Sequence, residues 1–300
     1  MTEVTRTFDI IQWNLEKYPR KDMYGGKRDK EWITYSTEDV SNYVNWVSYG
    51  LLSLGFKKGD KIATISGNKP EWNFVDLGLA QVGIIHVPIY PTIGTEEYEY
   101  ILEHSDVSAI ILGNKTIYNK VKPIINKIHG LKKIYSFDPI EDVNSFDEII
   151  ADGKLNAGRF HDELERIKAS IKPEDMVTII YTSGTTGNSK GVMLSHNNLV
   201  KNAITTSKAH HLGYGHRAIS FLPLCHVYER MVNYHFQYKG ISIYYVENMG
   251  IVSETVKEIK HTFSILSRGF WKKYMIILSE KDVTFHGSKR GYFSGLSTWG

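Results

Sequence analysis

The chain has 300 residues, a net charge of +3 and one cysteine. One cysteine excludes an internal disulfide framework, and no apolar run reaches the roughly 18 residues that a membrane-spanning helix needs. Residues 1–25 lack the apolar core of a signal peptide, and lysine and arginine are dispersed rather than gathered into a basic patch, so the sequence predicts a cytoplasmic protein that does not bind nucleic acid.

Helical and extended patterns alternate between residues 36 and 137. The capping pattern that begins at Ser36 predicts the first of these helices, and Pro88 is expected to end its strand. The expected helices are 36–55, 70–83, 95–105 and 119–128, and the expected strands are 61–66, 84–88, 109–112 and 134–137. This alternation predicts parallel strand–helix–strand units, with helices on both faces of a sheet.

A second series of elements follows a more polar segment, 138–172, which is expected to loop around the surface. In this series we expect strands at 176–181, 191–194, 218–222 and 241–246, and helices at 196–210, 226–238 and 253–260. The predicted fold class is α/β, with parallel or mixed sheets flanked by helices. We expect two α/β subdomains, 1–170 and 171–300.

The segment from Tyr181 to Gly191 combines glycines, hydroxyl side chains and one lysine directly after an apolar run. Glycine lets backbone N–H groups turn toward a ligand, hydroxyls add donors, and lysine supplies a charge suited to phosphate. Such composition otherwise indicates a flexible hairpin loop without a ligand. The candidate phosphate-binding residues are Thr182, Ser183, Gly184, Thr185, Thr186, Gly187 and Lys190.

The sequence that follows this loop distinguishes it from the common phosphate loop. Ser189 stands where that loop has its second glycine, and 191–194 is typical of a strand rather than of a helix start. Ser195 is the expected N-cap of the helix that follows. The loop is therefore expected to bridge two strands, unlike a kinase-type or dinucleotide-type site.

Residues 181–191 resemble the phosphate-binding signature of the adenylate-forming enzymes, also called the AMP-binding superfamily. Residues 221–230 resemble the next block of that family, in the form typical of long-chain fatty acyl-CoA synthetases. The segments 58–63, 68–72 and 87–92 are similar to the N-terminal part of those ligases. The resemblance implies the large N-terminal lobe of an adenylate-forming ligase.

The resemblance implies a two-step reaction that consumes ATP and coenzyme A and uses Mg²⁺. A fatty acid carboxylate attacks the α-phosphate of ATP, and the thiol of coenzyme A then displaces AMP. The loop residues would surround the β- and γ-phosphates, with Lys190 as a catalytic cation and Thr182 near the metal ion. His226 is expected beside the acyl carboxylate or the adenylate; the alternative is a histidine that makes a local hydrogen bond at a helix start.

The family motifs for adenine, for ribose and for the C-terminal lid do not occur after residue 196. We therefore expect an N-terminal fragment that needs the missing C-terminal half as its partner, holds polyphosphate weakly and does not turn over alone. Another acid-activating ligase and a non-catalytic nucleotide-binding or partner-binding remnant stay open as alternatives. Peripheral contact with the inner face of a membrane is a further open alternative, because long-chain substrates partition into bilayers.

Overall fold

The computed structural model describes residues 3–29, 31–184, 187–209 and 211–259, together with short strands between 274 and 287. The α-helices are α1 Asp9–Lys17, α2 Thr37–Ser53, α3 Pro70–Val82, α4 Thr95–His104, α5 Lys115–Val121, α6 Phe146–Ser170, α7 His196–Thr206, α8 Val227–Tyr238 and α9 Val252–Ile259. Short 3₁₀ helices cover Lys122–Lys127, Ser207–Ala209 and Met249–Ile251.

The strands form two main sheets and two small antiparallel pairs. They are β1 Tyr24–Arg28, β2 Glu31–Tyr35, β3 Lys61–Ile65, β4 Ile85–Ile89, β5 Ala109–Leu112, β6 Lys133–Ser136, β7 Asn144–Ser145, β8 Met176–Gly184, β9 Gly187–Ser195, β10 Arg217–Ser220, β11 Ser242–Tyr245, β12 Tyr274–Met275, β13 Leu278–Ser279, β14 Asp282–Val283 and β15 His286–Gly287. The small pairs are β12 with β15 and β13 with β14.

The larger sheet has seven strands in the order β7-β6-β5-β3-β4-β8-β9. Its strands are parallel except for the β8–β9 pair, which is antiparallel. β4 and β5 are buried throughout, as expected of parallel strands that are covered on both faces. The predicted combination of parallel and mixed sheet with flanking helices is confirmed.

The smaller sheet has four strands in the order β10-β11-β1-β2. β1 pairs in parallel with β11 and forms an antiparallel hairpin with β2. Both sheets therefore contain strands from each side of residue 170. The division into subdomains 1–170 and 171–300 stays a prediction.

The expectation of a surface loop over 138–172 is wrong, because α6 occupies most of this segment. Its start is fixed by a capping box, in which the Ser145 side chain accepts a backbone hydrogen bond and the Glu148 side chain accepts one from the Ser145 amide. The helix buries Phe146, Ile149 and other residues on one face, against α2. Its polar residues occupy the opposite, solvent-facing side, which makes the segment polar on average although it is amphipathic.

Several predicted element bounds also differ from the structure, and the contacts explain two of these differences. β4 continues through Pro88, which pairs with Thr64 of β3. Among the described residues, β4 and β8 form a ladder pair at His86 and Thr178. Pro88 lies outside that pair, so its missing N–H removes no bond from it. The expected helix 119–128 instead begins at Lys115, since the Asn114 side chain accepts from the Ile117 amide, and the 3₁₀ helix replaces its second half.

Asn68 and Lys69 join the carboxyl ends of the two main sheets. Asn68 follows β3, and its Nδ2 donates to the carbonyl oxygen of Leu222 at 2.7 Å, while its Oδ1 accepts from the Leu224 amide at 3.1 Å. The Lys69 ammonium lies 2.9 Å from Glu247 and 3.1 Å from Asp138. The segment that follows β10 is thereby held beside the carboxyl edge of the larger sheet.

Candidate active site

The β8–β9 hairpin carries the candidate phosphate-binding residues. Thr182 on β8 lies directly opposite Lys190 on β9, and Gly184 pairs with Gly187 at the tip. The expected bridge between two strands is confirmed, and both strands run further toward the tip than predicted. Ser183, Gly184 and Gly187 belong to these strand ends, whereas Thr185 and Thr186 lie outside the described residues.

The Thr182 and Lys190 side chains are exposed to solvent. Within the part of the chain that the structure describes, Lys190 makes no ion pair. A flexible ammonium group opposite a hydroxyl can therefore meet an anion from solvent without first breaking a salt bridge. The pair is compatible with contact to a phosphate group.

Helix α4 anchors this hairpin at two points, Tyr181 on β8 and Ser189 on β9. The Ser189 hydroxyl donates to Glu97 Oε1 at 3.0 Å, and the Tyr181 hydroxyl lies 2.7 Å from His104 Nδ1. Burial raises the pKa of Tyr181 to about 12, so its hydroxyl keeps its proton at neutral pH. These two contacts tie the hairpin to α4 on either side of the exposed Thr182–Lys190 pair.

His226 is the N-cap of α8, and it is exposed. Its Nδ1 accepts from the Tyr228 amide at 3.1 Å, which is the local hydrogen bond weighed as the alternative to a ligand contact. Its ring stands edge-on to Tyr90, with centroids 6.4 Å apart. Tyr98 of α4 donates to the Tyr90 carbonyl at 3.0 Å, so His226 is linked to the hairpin through α4 rather than by a direct contact among the described residues.

A buried cluster of polar and charged residues, which sequence reasoning missed, lies beneath this site. We use the term buried ion cluster for Thr64, Asp76, His86, Thr178, Arg230 and Tyr234. Arg230 donates to both oxygens of Asp76 and, at 2.7 Å, to Thr178 Oγ1. Thr178 in turn donates to the carbonyl oxygen of His86 at 2.7 Å. The cluster thus connects α3, α8, β4 and β8.

The protonation states in the cluster follow from its contacts. Burial alone would raise the pKa of Asp76, but Arg230 and hydrogen bonds from His86 and Tyr234 lower it to about 2. Burial lowers the pKa of His86, so its imidazole is neutral. Nδ1 then donates to Asp76 at 2.7 Å, and Nε2 accepts from Thr64 at 2.9 Å.

Glu229 lies next to Arg230 in the chain but belongs to a separate network. Its Oε1 accepts from the Ser220 hydroxyl at 2.6 Å, and Ser220 also accepts from Asn68 and Asn233 at 3.2 Å each. Burial raises the pKa of Glu229 to about 8. Glu229 and Arg230 together connect the start of α8 to both main sheets. The sequence feature that could have indicated these buried contacts is the charged pair at the end of the 221–230 block.

Metal-binding side chains are not clustered in the described ranges, where no three His, Cys, Asp or Glu residues come together as a metal site. The predicted place of Thr182 near a metal ion stays a prediction. None of the helices described above is both long and apolar enough to cross a membrane.

Sequence comparison finds relatives among long-chain acyl-CoA synthetases. Long chain acyl-CoA synthetase 5 of Arabidopsis thaliana is 34% identical over 251 residues, which make up 75% of this chain and 36% of the relative. Fatty acyl-CoA synthetase A of Dictyostelium discoideum is 30% identical over 257 residues, with 80% and 36% covered. The chain spans less than half the length of these relatives.

Solved structures of CoA ligases share the fold. A long-chain-fatty-acid-CoA ligase from Archaeoglobus fulgidus matches with a TM-score of 0.74 and 22% identity, over 88% of this chain and 51% of that one. An anthranilate CoA ligase in complex with anthranoyl-AMP matches with a TM-score of 0.71 and 21% identity, over 86% and 49%. The chain also matches the AMP-binding enzyme family over residues 11–295, and it therefore belongs to that family.

Proposed function

We propose that the chain is the phosphate-binding part of an ATP-dependent long-chain fatty acid–CoA ligase, which forms acyl-CoA, AMP and diphosphate. The relatives with long-chain acyl-CoA synthetase names support the substrate class. The observation that carries the proposal is the exposed pair of Thr182 and Lys190, opposite each other near the hairpin tip. Cytoplasmic location and peripheral membrane contact stay predictions.

The first chemical step brings a carboxylate toward a polyphosphate, so the site must neutralise negative charge and hold the attack in line. Lys190 supplies the positive charge, and the Thr182 and Ser183 hydroxyls and the backbone of Gly184 and Gly187 supply hydrogen-bond donors to the β- and γ-phosphates. Thr185 and Thr186 would add to the same contacts. Several charge-assisted hydrogen bonds of about 1.5–3 kcal/mol each are enough to hold a triphosphate.

Magnesium fits this site as a partner of the nucleotide rather than as a resident ion. Mg²⁺ is usually held by one or two protein oxygens together with substrate phosphates and water. The exposed side chain of Thr182 offers one hydroxyl oxygen on the hairpin that carries the candidate phosphate-binding residues. The ion would neutralise charge on the phosphates. Coenzyme A enters as the acceptor of the second step.

His226 is proposed to lie beside the acyl carboxylate as a hydrogen-bond donor. Because Nδ1 accepts from the Tyr228 amide, the neutral imidazole carries its proton on Nε2 and can donate there. A fatty acid is ionised at neutral pH, so the site needs no general base to deprotonate it. The hydrogen bond from the Tyr228 amide thus favours the tautomer in which Nε2 of His226 is the donor.

The binding test compares two exposed lysines, Lys190 at the hairpin and Lys201 on α7. We expect Lys190→Gln to weaken ATP binding by roughly ten-fold or more, the value of one charge-assisted hydrogen bond, and Lys201→Gln to change it less than about two-fold. Equilibrium dialysis at constant ionic strength measures both. Absence of ATP binding by the wild-type chain, or equal losses in the two variants, would contradict the proposal.

The acid class is tested by ATP–pyrophosphate exchange with palmitate, benzoate or leucine as the acid, both on the isolated chain and on the chain fused to the C-terminal half of a long-chain acyl-CoA synthetase relative. The isolated chain is predicted to show no exchange, and robust exchange with palmitate would overturn that prediction while supporting the substrate class. Exchange with benzoate or leucine but not with palmitate would assign the chain to another acid-activating ligase.

A further inference from the structure

The two parts of the proposed site lie on different elements, and one buried side chain links those elements. His226 caps α8, and the hairpin residues continue β8. Arg230 follows His226 by one helical turn, and its amide donates to the His226 carbonyl at 3.1 Å. Its guanidinium donates to Thr178 Oγ1 on β8 at 2.7 Å. Thr178 and Thr182 lie on the same face of that strand.

The Arg230 guanidinium is held in a single orientation by its other contacts. Nη2 donates to Asp76 Oδ1 at 2.5 Å and Nε to Oδ2 at 3.3 Å, while Tyr234 donates to Oδ2 at 2.5 Å. Arg230 and Asp76 are 1% and 2% exposed. The planar fork of arginine reaches Asp76 and Thr178 together, which the single ammonium of lysine cannot reproduce.

A buried ion pair is weak evidence for stability, because desolvation offsets most of the attraction, and its better-supported role is to specify one arrangement. The arrangement here is the position of β8 relative to the start of α8. The pair Thr182–Lys190 lies at the end of one element and His226 at the start of the other. Both parts of the proposed site, the Thr182–Lys190 pair and His226, thus lie on elements that contact the same guanidinium, that of Arg230.

We propose that Arg230 is a positioning residue, which through Thr178 and Asp76 sets the phosphate hairpin relative to His226. The geometric part of this inference stands on the described contacts, and its consequence for ligand binding rests on the proposed function. Loss of the Arg230–Thr178 contact is expected to loosen the outer hairpin and the N-terminus of α8 together, without loosening the far side of the larger sheet.

The test uses Thr178→Val, because Arg230→Ala would leave Asp76 buried without its cation and endanger folding. Thr178→Ser keeps the hydroxyl and is the rescue variant. Thr255→Val is the matched control, since Thr255 is fully buried and its hydroxyl has no hydrogen-bond partner among the described residues. Thr178→Val also removes the hydrogen bond from Thr178 to the His86 carbonyl. Arg230→Lys leaves that bond in place and alters only the contacts of residue 230.

Hydrogen–deuterium exchange measures the geometric part in the absence of ligand. In Thr178→Val and Arg230→Lys we expect exchange to rise about ten-fold at residues 181–184, 188–190 and 228–230, and less than about two-fold in β5 and β6. Thr178→Ser and Thr255→Val should behave like the wild type. Unchanged exchange in the hairpin, or an equal rise throughout the sheet, would overturn the inference.

ATP affinity gives the second measurement. If the wild-type chain binds ATP, Thr178→Val is expected to bind it several-fold more weakly and Thr178→Ser to restore it. Unaltered affinity in Thr178→Val would refute the ligand-binding consequence. If the wild-type chain does not bind ATP, the proposed function has failed, and the exchange pattern still decides whether Arg230 positions the hairpin.

Discussion

Gly153 of α6 lies directly against the backbone of α2 at Gly50. A Cβ atom on Gly153 would lie 3.0 Å from the amide nitrogen of Gly50 and 1.9 Å from the carbonyl oxygen of Trp46. A Cβ on Gly50 would lie 2.2 Å from the carbonyl oxygen of Ile149. The two helices therefore touch through their backbones, and this contact requires glycine on both sides.

Alanine substitutions in α6 should have opposite effects at its two glycines. Gly153→Ala should lower the free energy of unfolding by about 1–3 kcal/mol, because a methyl group there forces the helices apart. A methyl group on Gly158 would meet no atom of the described neighbouring residues within 4 Å, so Gly158→Ala should raise it by about 0.5–1 kcal/mol through helix propensity. Urea unfolding measures both, and changes of the same sign would contradict this description of the contact.

Tyrosine-to-phenylalanine substitutions compare a buried hydroxyl that donates a hydrogen bond with a buried hydroxyl that has no partner among the described residues. Tyr234 donates to Asp76 at 2.5 Å, and Tyr234→Phe should cost about 1.5–3 kcal/mol of stability, the value of a hydrogen bond to a charged group. The buried hydroxyl of Tyr24 has no hydrogen-bond partner among the described residues, so Tyr24→Phe should be neutral or stabilising. Equal losses in thermal or urea unfolding would argue against the buried ion cluster.

Glu229 should make the protein less stable as the pH rises. Burial raises its pKa to about 8 from an ordinary value of 4.5, so between these values the unfolded chain releases the proton first and unfolding becomes more favourable. Glu229→Gln is expected to remove this dependence and to be more stable than wild type at pH 8 by on the order of 3 kcal/mol. Urea midpoints at pH 5, 6.5 and 8 test this, and an equal gain at each pH would be inconsistent with it.

His196 should act in the opposite direction, in acid. Burial lowers its pKa from 6.5 to about 4, and its Nδ1 accepts from the Thr7 amide at 3.2 Å. Its contribution is fully present above pH 6.5 and is lost as the pH falls toward 4, because the unfolded chain binds the proton first. His196→Asn keeps an acceptor near that amide. Between pH 6.5 and pH 4, this variant should lose less stability than the wild type, by on the order of 2 kcal/mol, as measured by urea unfolding.

The local elements of the chain were largely readable from the sequence. Apolar runs and caps predicted β3, β5 and α3 to within a residue or two, and the strand-like residues after Lys190 predicted the hairpin. α6 was missed because its average polarity hid both the Ser145–Glu148 capping box and the apolar spacing that follows it. There, the periodic pattern was the better guide than composition.

The contacts between distant segments could not be read in the same way. Glu229 and Arg230 look like solvated charges at a helix start, and their burial depends on Asp76 and Ser220, which come from other parts of the chain. Asp76 is flanked by Val75 and Leu77 inside α3, and an acidic side chain in such a setting was a signal that a buried partner exists. The sequence contained no means of identifying that partner, because charge complementarity alone does not select one arginine among many.

The pairing of β1 with β11 has a consequence for biosynthesis. Tyr24 lies opposite Ile243, so the first hairpin cannot complete its sheet until nearly all of the described chain has left the ribosome. At ordinary rates of translation this delay is on the order of ten seconds or more. During that time the parallel edge of β1 has no neighbour, and a chaperone that shields Tyr24–Arg28 on the nascent chain would increase the yield of native protein.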